Sequence, residues 1–417
     1  MGNATRTLLA KGLTMGLLAL GLPGAGAPAR AATIEVGPDG DLCEALRQVE
    51  PGDEVVLQPG DYPAGCAVRR GGLPQAPVVI RPSDPANPPR LTQSGLVNLL
   101  EIRASDVVIR GLTFGPTVHD ADGIRIFGGE RITVEQCRFT QLGGIAVVAN
   151  HSSVRTLTVK GNVISQSTST GMYFGCHDGV GCVITDLLVE GNHIHGVDAP
   201  DPEIGYGIEV KLNSTAVIRN NVISDTKGPG IMIYGARELT APSIVERNFV
   251  RGSRTSSGIV VGGGPGLVRN NISGWNAEGG IGLENYGRRG LLRAISVLNN
   301  TVYGNREGGV TVPASGPLEA TLQANAGHGR ADAPAFPSAR PGLRLIGNLD
   351  CTGLSCFVDP EGLDFSPAKG SPLRRAGVGA SAGVPADDFF GTPRSGTPVI
   401  GAVQHAGPRI ELESVRQ

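Results

Sequence analysis

Two residues apart in the segment GIEVKLN, Glu209 and Lys211 place a carboxylate and an ammonium on one side of an extended chain, and Tyr234 follows in the similar segment GIMIY. A lysine whose proton affinity is lowered by burial or nearby positive charge acts as a general base near neutrality, and a phenol beside it donates a proton. Arg237, in the following YGARE, offers a planar fork for bidentate carboxylate binding. Tyr173 in GMYFG and His177 in GCHDG add a second phenol and an imidazole that titrates near neutral pH. This is a set for moving protons on an anionic substrate. The competing expectation is that Lys211 pairs with Glu209 on a solvated face, where an ion pair contributes little.

Other groups are chemically thinner. VHDAD supplies His119, Asp120 and Asp122, and its loop is expected to open on the same groove edge as His177. The insertion HGVDAPDPEIG holds Asp198, Asp201 and Glu203; such oxygen-rich loops can take Ca²⁺, but no defined ligand spacing is present, and a solvated loop is the plainer reading. His193 and His195 alternate on one strand without a third ligand, so no metal site is assigned. Arg288 and Arg289 in ENYGRRG extend a positive groove or sit in a solvated turn.

The elements that must position these groups recur. Short alternating pieces end at Cys137, Asn162, Asn192, Asn221, Asn248, Asn271, Asn300 and Asn348, at separations of 25, 30, 29, 27, 23, 29 and 48 residues, the last hiding one irregular turn. A second series of glycine-led strands runs in step, from DGIRIF at Gly123 to GVTV at Gly309. Such a period signals stacked repeats, each unable to bury its apolar side alone. Asparagine at a fixed turn bonds its counterpart one repeat away, and Cys137 occupies that slot as a buried thiol. The expected fold is all-β, a single-stranded right-handed parallel β-helix (a pectate-lyase-like solenoid) of roughly ten coils; a propeller is the alternative.

In the glycine-led strands, residues one and three after the glycine are aliphatic and point inward, so those two and four after it form outward columns. The first column reads Arg125, Ala146, Tyr173, Glu209, Met232, Val260, Gly282, Thr311, and the second Phe127, Val148, Gly175, Lys211, Tyr234, Gly262, Glu284. Gly175 and Gly262 are expected to leave open space in which a substrate chain could lie close to the sheet.

Residues 1–32 read as a secretory signal peptide, with Arg6 and Lys11 before LTMGLLALGLPGAGA and a small-residue cleavage site near Ala31. The plan continues with 33–96 as cap and first coils, 97–358 as the coils, and 359–417 as a tail covering the far end. The protein is expected in the periplasm or outside the cell, and Cys43 with Cys66, Cys176 with Cys182 and Cys351 with Cys356 are expected disulfides there. A net charge of −2, becoming about −5 once Arg6, Lys11 and Arg30 are removed, excludes a polybasic nucleic-acid binder. After cleavage no membrane span remains, and a monomer is expected. Aromatic residues make up 4% of the 417, which weakens the case for sugar stacking.

PGDEVVLQPGDYPAG, APVVIRPSDP and VVIRGLTF resemble the opening of secreted polysaccharide-acting β-helix proteins of the chondroitinase B and alginate lyase type, and FVDPEGLDFSPAKGSPLRRAG with DDFFGTPRSGTPVIGAV resembles their common tail. The VK of GIEVKLN matches that family's basic lysine, usually in VKS. Where the family carries Arg-His-Gly after its next strand, this chain has Tyr234 and Gly235.

The resemblance implies an acidic, uronate-containing polysaccharide as substrate and a lyase reaction. Lys211 would be the base, with Tyr234, Arg237 or His177 assisting and Tyr173, Glu209, Arg125 and Arg288 binding substrate. A uronate C5-epimerase starts with the same proton abstraction. A non-catalytic polysaccharide-binding or structural solenoid is the rival of another class. A glycoside hydrolase would need Glu209 with Asp178 or Glu284 at a suitable separation.

Overall fold

The computed structural model describes residues 31–63, 65–93, 95–238, 241–285, 291–312, 317–330, 332–374, 384–395 and 399–412. The signal-peptide expectation falls on residues outside this set, apart from its last two positions.

Apart from one antiparallel pair, Phe357–Asp359 with Asp364–Pro367, the described strands form three parallel sheets of thirteen, ten and twelve strands, each chain turn adding one strand to each sheet. Neighbours in a sheet come from successive repeats, as Met172–Phe174 beside Ile208–Val210 and Ile208–Val210 beside Ile231–Ile233. This is a parallel β-helix of about twelve turns, two more than expected. Residues 54–92 already lay down strands in all three sheets, and the 48-residue gap contains a full turn.

That turn carries Asn325. Its Nδ2 donates to Asn348 Oδ1 at 2.8 Å, and Asn300 Nδ2 donates to Asn325 Oδ1 at 3.0 Å. The ladder is continuous from Asn162 to Asn348; each Oδ1 also accepts the backbone N–H of the previous asparagine, as Asn221 N to Asn248 Oδ1 at 3.0 Å. Nδ2 also reaches a carbonyl one turn back, as Asn248 to Ile218. Each rung therefore satisfies a buried amide and the turn backbone together. The residue before each asparagine is left-handed, such as Gly191 (φ 64°) and Asn220 (φ 56°), which explains the recurrent GN and NN pairs. Cys137 joins by its backbone N–H to Asn162 Oδ1, and burial pushes its thiol up to about 12.

Inside, stacked Ile, Val and Leu fill one continuous core, with Phe114 and Phe139 stacked at 4.9 Å. Outside, the thirteen-stranded sheet carries a column of alternating sign: Arg110, Glu135, Lys160, Glu190, Arg219, Glu246, Arg269. Cross-strand ion pairs include Arg219–Glu190 at 2.7 Å and Lys160–Glu135 at 3.0 Å.

A short helix, Leu42–Gln48, N-capped by Asp41, buries Leu42 and Leu46 at the first coils. It is tied down by the Cys43–Cys66 disulfide; Cys176–Cys182 and Cys351–Cys356 are also formed. The tail lies along the flank of the twelve-stranded sheet, with Phe365, Ala402 and Val403 packed on Phe249 and Ile272. It covers a face rather than only an end because those coils present apolar residues outward. Arg394 anchors it, donating to Asn270 Oδ1 at 2.7 Å and to the carbonyls of Gly401 and Ala402; burial pulls its guanidinium down to about 10.

Candidate functional site

Parallel register sets Tyr173 beside Glu209 and Glu209 beside Met232 on the outward face of the ten-stranded sheet. One step further along each strand, Lys211 N–H bonds to the Phe174 carbonyl and Tyr234 N–H to the Val210 carbonyl, so Gly175, Lys211 and Tyr234 continue the second column. The columns need one correction. At the second coil Ile124 pairs with Val147 and Arg125 with Val148, so the column positions are Val148 and Asn150, not Ala146 and Val148. The segment GGIAVVA carries two extra residues before its strand, and a register slip of two preserves the inward-outward alternation.

Lys211 Nζ lies 2.5 Å from Glu209 Oε1, and its ammonium sits 4.7 Å and 4.6 Å from the ring centroids of Tyr173 and Tyr234. Lys211 is 4% exposed and Glu209 1%. The pair exists, but in a buried setting rather than on a solvated face. The cation is held between two π faces and one carboxylate in surroundings of low dielectric.

Above the pair opens a pocket of about 580 Å³, whose lining includes Tyr173, His177, Tyr206, Glu209, Lys211 and Tyr234, with Glu203 and Ile204 from the insertion. Tyr206 and Tyr234 hydroxyls are 3.4 Å apart. Three of the chain's six tyrosines therefore line one pocket, and the low overall aromatic content does not describe the site. Tyr206 belongs to neither column; its signal in the sequence is its place directly before Gly207, at the end of the insertion that lengthens this coil.

That insertion straps the pocket. Lys227 Nζ bonds to Asp201 Oδ1 and the Glu203 carbonyl, and Arg254 pairs with Asp198 at 2.5 Å. Asp201 and Asp198 are thus used by cations of the chain itself, and among the described residues no group of three metal-ligating side chains gathers. The insertion is thereby held as a strap beside the pocket.

Several candidates stand elsewhere. Arg237 is exposed; its backbone N–H bonds to Asn213 Oδ1 and its guanidinium to the Asp178 carbonyl at 3.3 Å, so it braces the disulfide loop outside the pocket lining. The Asp178 carboxyl is held below the usual range by the N–H groups of Val180 and Gly181. Arg125 lies three strands from Glu209, about 14 Å away, bonded to Asp122 and Asn150. Asp122 is buried, which raises its pKa, and caps the next coil through Ile145 N–H. His119 lines a different pocket with Gln141 and Thr168, so its loop and that of His177 do not share an edge. His193 and His195 stand on the twelve-stranded sheet. Arg288 and Arg289 lie outside the described residues.

The glycines do not hold space open. A Cβ at Gly175 would come 2.4 Å from Ser214 Oγ and 3.1 Å from Lys211 Cβ, and one at Gly262 2.9 Å from Met232 Cε. Their room is filled by the chain's own side chains, which brings Lys211 down onto the sheet. Glu284 stands three positions along the column from Lys211, about 14 Å, too far to partner Glu209 in hydrolysis.

No curated protein matches the chain. Among solved structures, it is similar to the complex of XylC with xylose, at 8% identity over 91% of this chain and 100% of that one, with a TM-score of 0.56. It is also similar to an alginate lyase from Paenibacillus sp. str. FPU-7 (16% identity, 76% and 97% covered, TM-score 0.49). A PL6 family polysaccharide lyase, Pedsa3628 from Pseudopedobacter saltans, shares 16% identity over 76% and 92% of the two chains, with a TM-score of 0.46. At such identities the likeness is one of fold. Residues 122–329 match the sequence profile of the right handed beta helix region, and with the three stacked parallel sheets this makes the chain a right-handed parallel β-helix protein.

Proposed function

We propose that the pocket over Lys211 binds an acidic polysaccharide and cleaves it by β-elimination, with Lys211 as the base. The observation that carries this reading is the buried Lys211–Glu209 pair between Tyr173 and Tyr234. When a sugar fills the pocket and expels water, burial penalises both charges, and passing the proton to Glu209 leaves a neutral amine beside a neutral acid. Lysine then takes the proton next to the uronate carboxylate, the C–H electrons form the new double bond, and the glycosidic C–O bond breaks. Tyr234 gives its phenolic proton to the departing oxygen, and Tyr206, 3.4 Å away, is placed to resupply it. His177 also lines the pocket and is the second candidate for protonating the leaving group. Epimerisation would begin with the same abstraction and end by returning the proton to the other face.

Three disulfides support export to an oxidising compartment, and among the described residues no helix is long and apolar enough to cross a membrane. The test is to incubate the protein with a panel of uronate polymers and follow the ultraviolet absorbance of an unsaturated product. Product formation lost in Lys211→Ala supports the reading; new reducing ends without absorbance would replace it with hydrolysis.

A further inference from the structure

The outward face of the ten-stranded sheet changes charge along its length. From Lys211 toward the N-terminal coils, the second column runs through Gly175 and Asn150 to Phe127, Arg103 and Arg69. The Arg103 guanidinium stacks 3.6 Å from the Phe127 centroid, Arg125 lies 5.7 Å from it, and the His151 ring packs at 5.0 Å. Glu101 and Asp122 fix the two stacked guanidiniums, at 3.0 Å and 2.6 Å. Arg69 and Arg70 are exposed at the end of the column. This arm carries four arginines and a histidine against two carboxylates.

In the other direction the sign reverses. Beyond Tyr234 and Gly262 the column reaches Glu284, which with Glu278 and Glu307 lines a second pocket of about 550 Å³. Burial and the neighbouring Glu307 raise the pKa of Glu278, as expected where carboxylates crowd.

We propose that the arm from Arg125 to Arg69 is a binding surface for a polyanionic polysaccharide whose chain leaves the Lys211 pocket toward the N-terminal coils only. It rests on the reading of that pocket as a polysaccharide site. Guanidinium groups fixed by stacking and ion pairs lose little freedom on meeting carboxylate or sulfate groups. Coils spaced about 4.8 Å apart give each successive sugar of an extended chain a strand to lie over. The glutamates on the far side repel the same chain, so binding is one-sided.

The test measures binding of oligouronates from the trimer to the octamer by affinity electrophoresis or calorimetry, at two salt concentrations. Affinity should rise with length, and Arg69→Ala/Arg103→Ala should lower it about tenfold for the octamer with a shallower salt dependence. Arg155→Ala, on the thirteen-stranded sheet, should not change it, which separates the arm from net charge. Affinity independent of length, or an octamer affinity that survives the double substitution, would overturn the arm. Length-dependent binding without unsaturated product would leave the arm standing and remove the lyase reading; product without length dependence would do the reverse.

Discussion

Lys211 Nζ and Glu209 Oε1 are 2.5 Å apart, two residues along one chain segment, and both side chains are almost fully removed from solvent. A surface pair of this kind is worth little, but a buried one cannot lose one partner cheaply. Lys211→Met should therefore destabilise the fold by about 3–5 kcal/mol, and Lys211→Met/Glu209→Leu should recover most of it. Chemical denaturation of the two variants decides this; equal losses would show that the pair is not the buried unit described here.

Glu209→Gln removes the carboxylate that takes the lysine proton while keeping the shape of the side chain. Turnover should fall by about 100-fold or more, with a smaller change in KM. Tyr234→Phe should lower turnover similarly, and Tyr206→Phe less, because Tyr206 only resupplies the proton. Steady-state assays on one polymer check the order.

Interior rungs of the asparagine ladder should matter more than its end. Asn248→Ala strands the Asn221 and Asn271 groups in a buried turn, at about 2–4 kcal/mol. Asn348→Ala, where the ladder ends partly exposed, should cost less. Thermal unfolding of the two variants measures the difference.

Burial raises the Glu135 carboxyl, but hydrogen bonds from Lys160 and Arg110 outweigh it and hold the group below its ordinary 4.5. A folded-state value below the unfolded one means that this stabilisation is present above about pH 4.5 and is lost as pH falls through the lower folded value. Glu135→Gln should therefore lower stability at neutral pH and flatten its loss in acid, read from denaturation midpoints between pH 3 and 7.

The coil plan was legible because the glycine-led strands and the asparagine turns both show at the level of residue type. The Asn ladder, the odd Cys137 and the three disulfides all follow from spacing. The site was legible in part. Glu209, Lys211, Tyr173 and Tyr234 share neighbouring columns, so two-residue alternation and the repeat place them together. Arg125 shares a column with Glu209 yet lies three coils away, since column membership fixes direction but not closeness. Tyr206 sits in an irregular insertion, where no period applies. The columns alone do not show that the space at Gly175 is filled, because the side chain filling it, Ser214, comes from a turn outside both columns.

The lone tryptophan reports on the tail. Trp275 packs against Tyr303 and Phe365, the latter from the tail strand Asp364–Pro367. Arg394→Ala removes the guanidinium that joins Asn270 to Gly401 and Ala402. Loosening of the tail should shift Trp275 emission to longer wavelength before the coils unfold by circular dichroism; coincident transitions would show that tail and coils melt as one unit.

Abstraction of a uronate proton by Lys211 is the step on which the proposed function stands. The most direct measurement compares the wild-type protein with Lys211→Ala, a variant whose far-ultraviolet spectrum is first shown to be native, on a panel of uronate polymers in deuterated buffer, with absorbance and mass read together. An unsaturated product should form with the wild type and not with the variant. Unsaturated product from both, or cleavage without unsaturation, would contradict it.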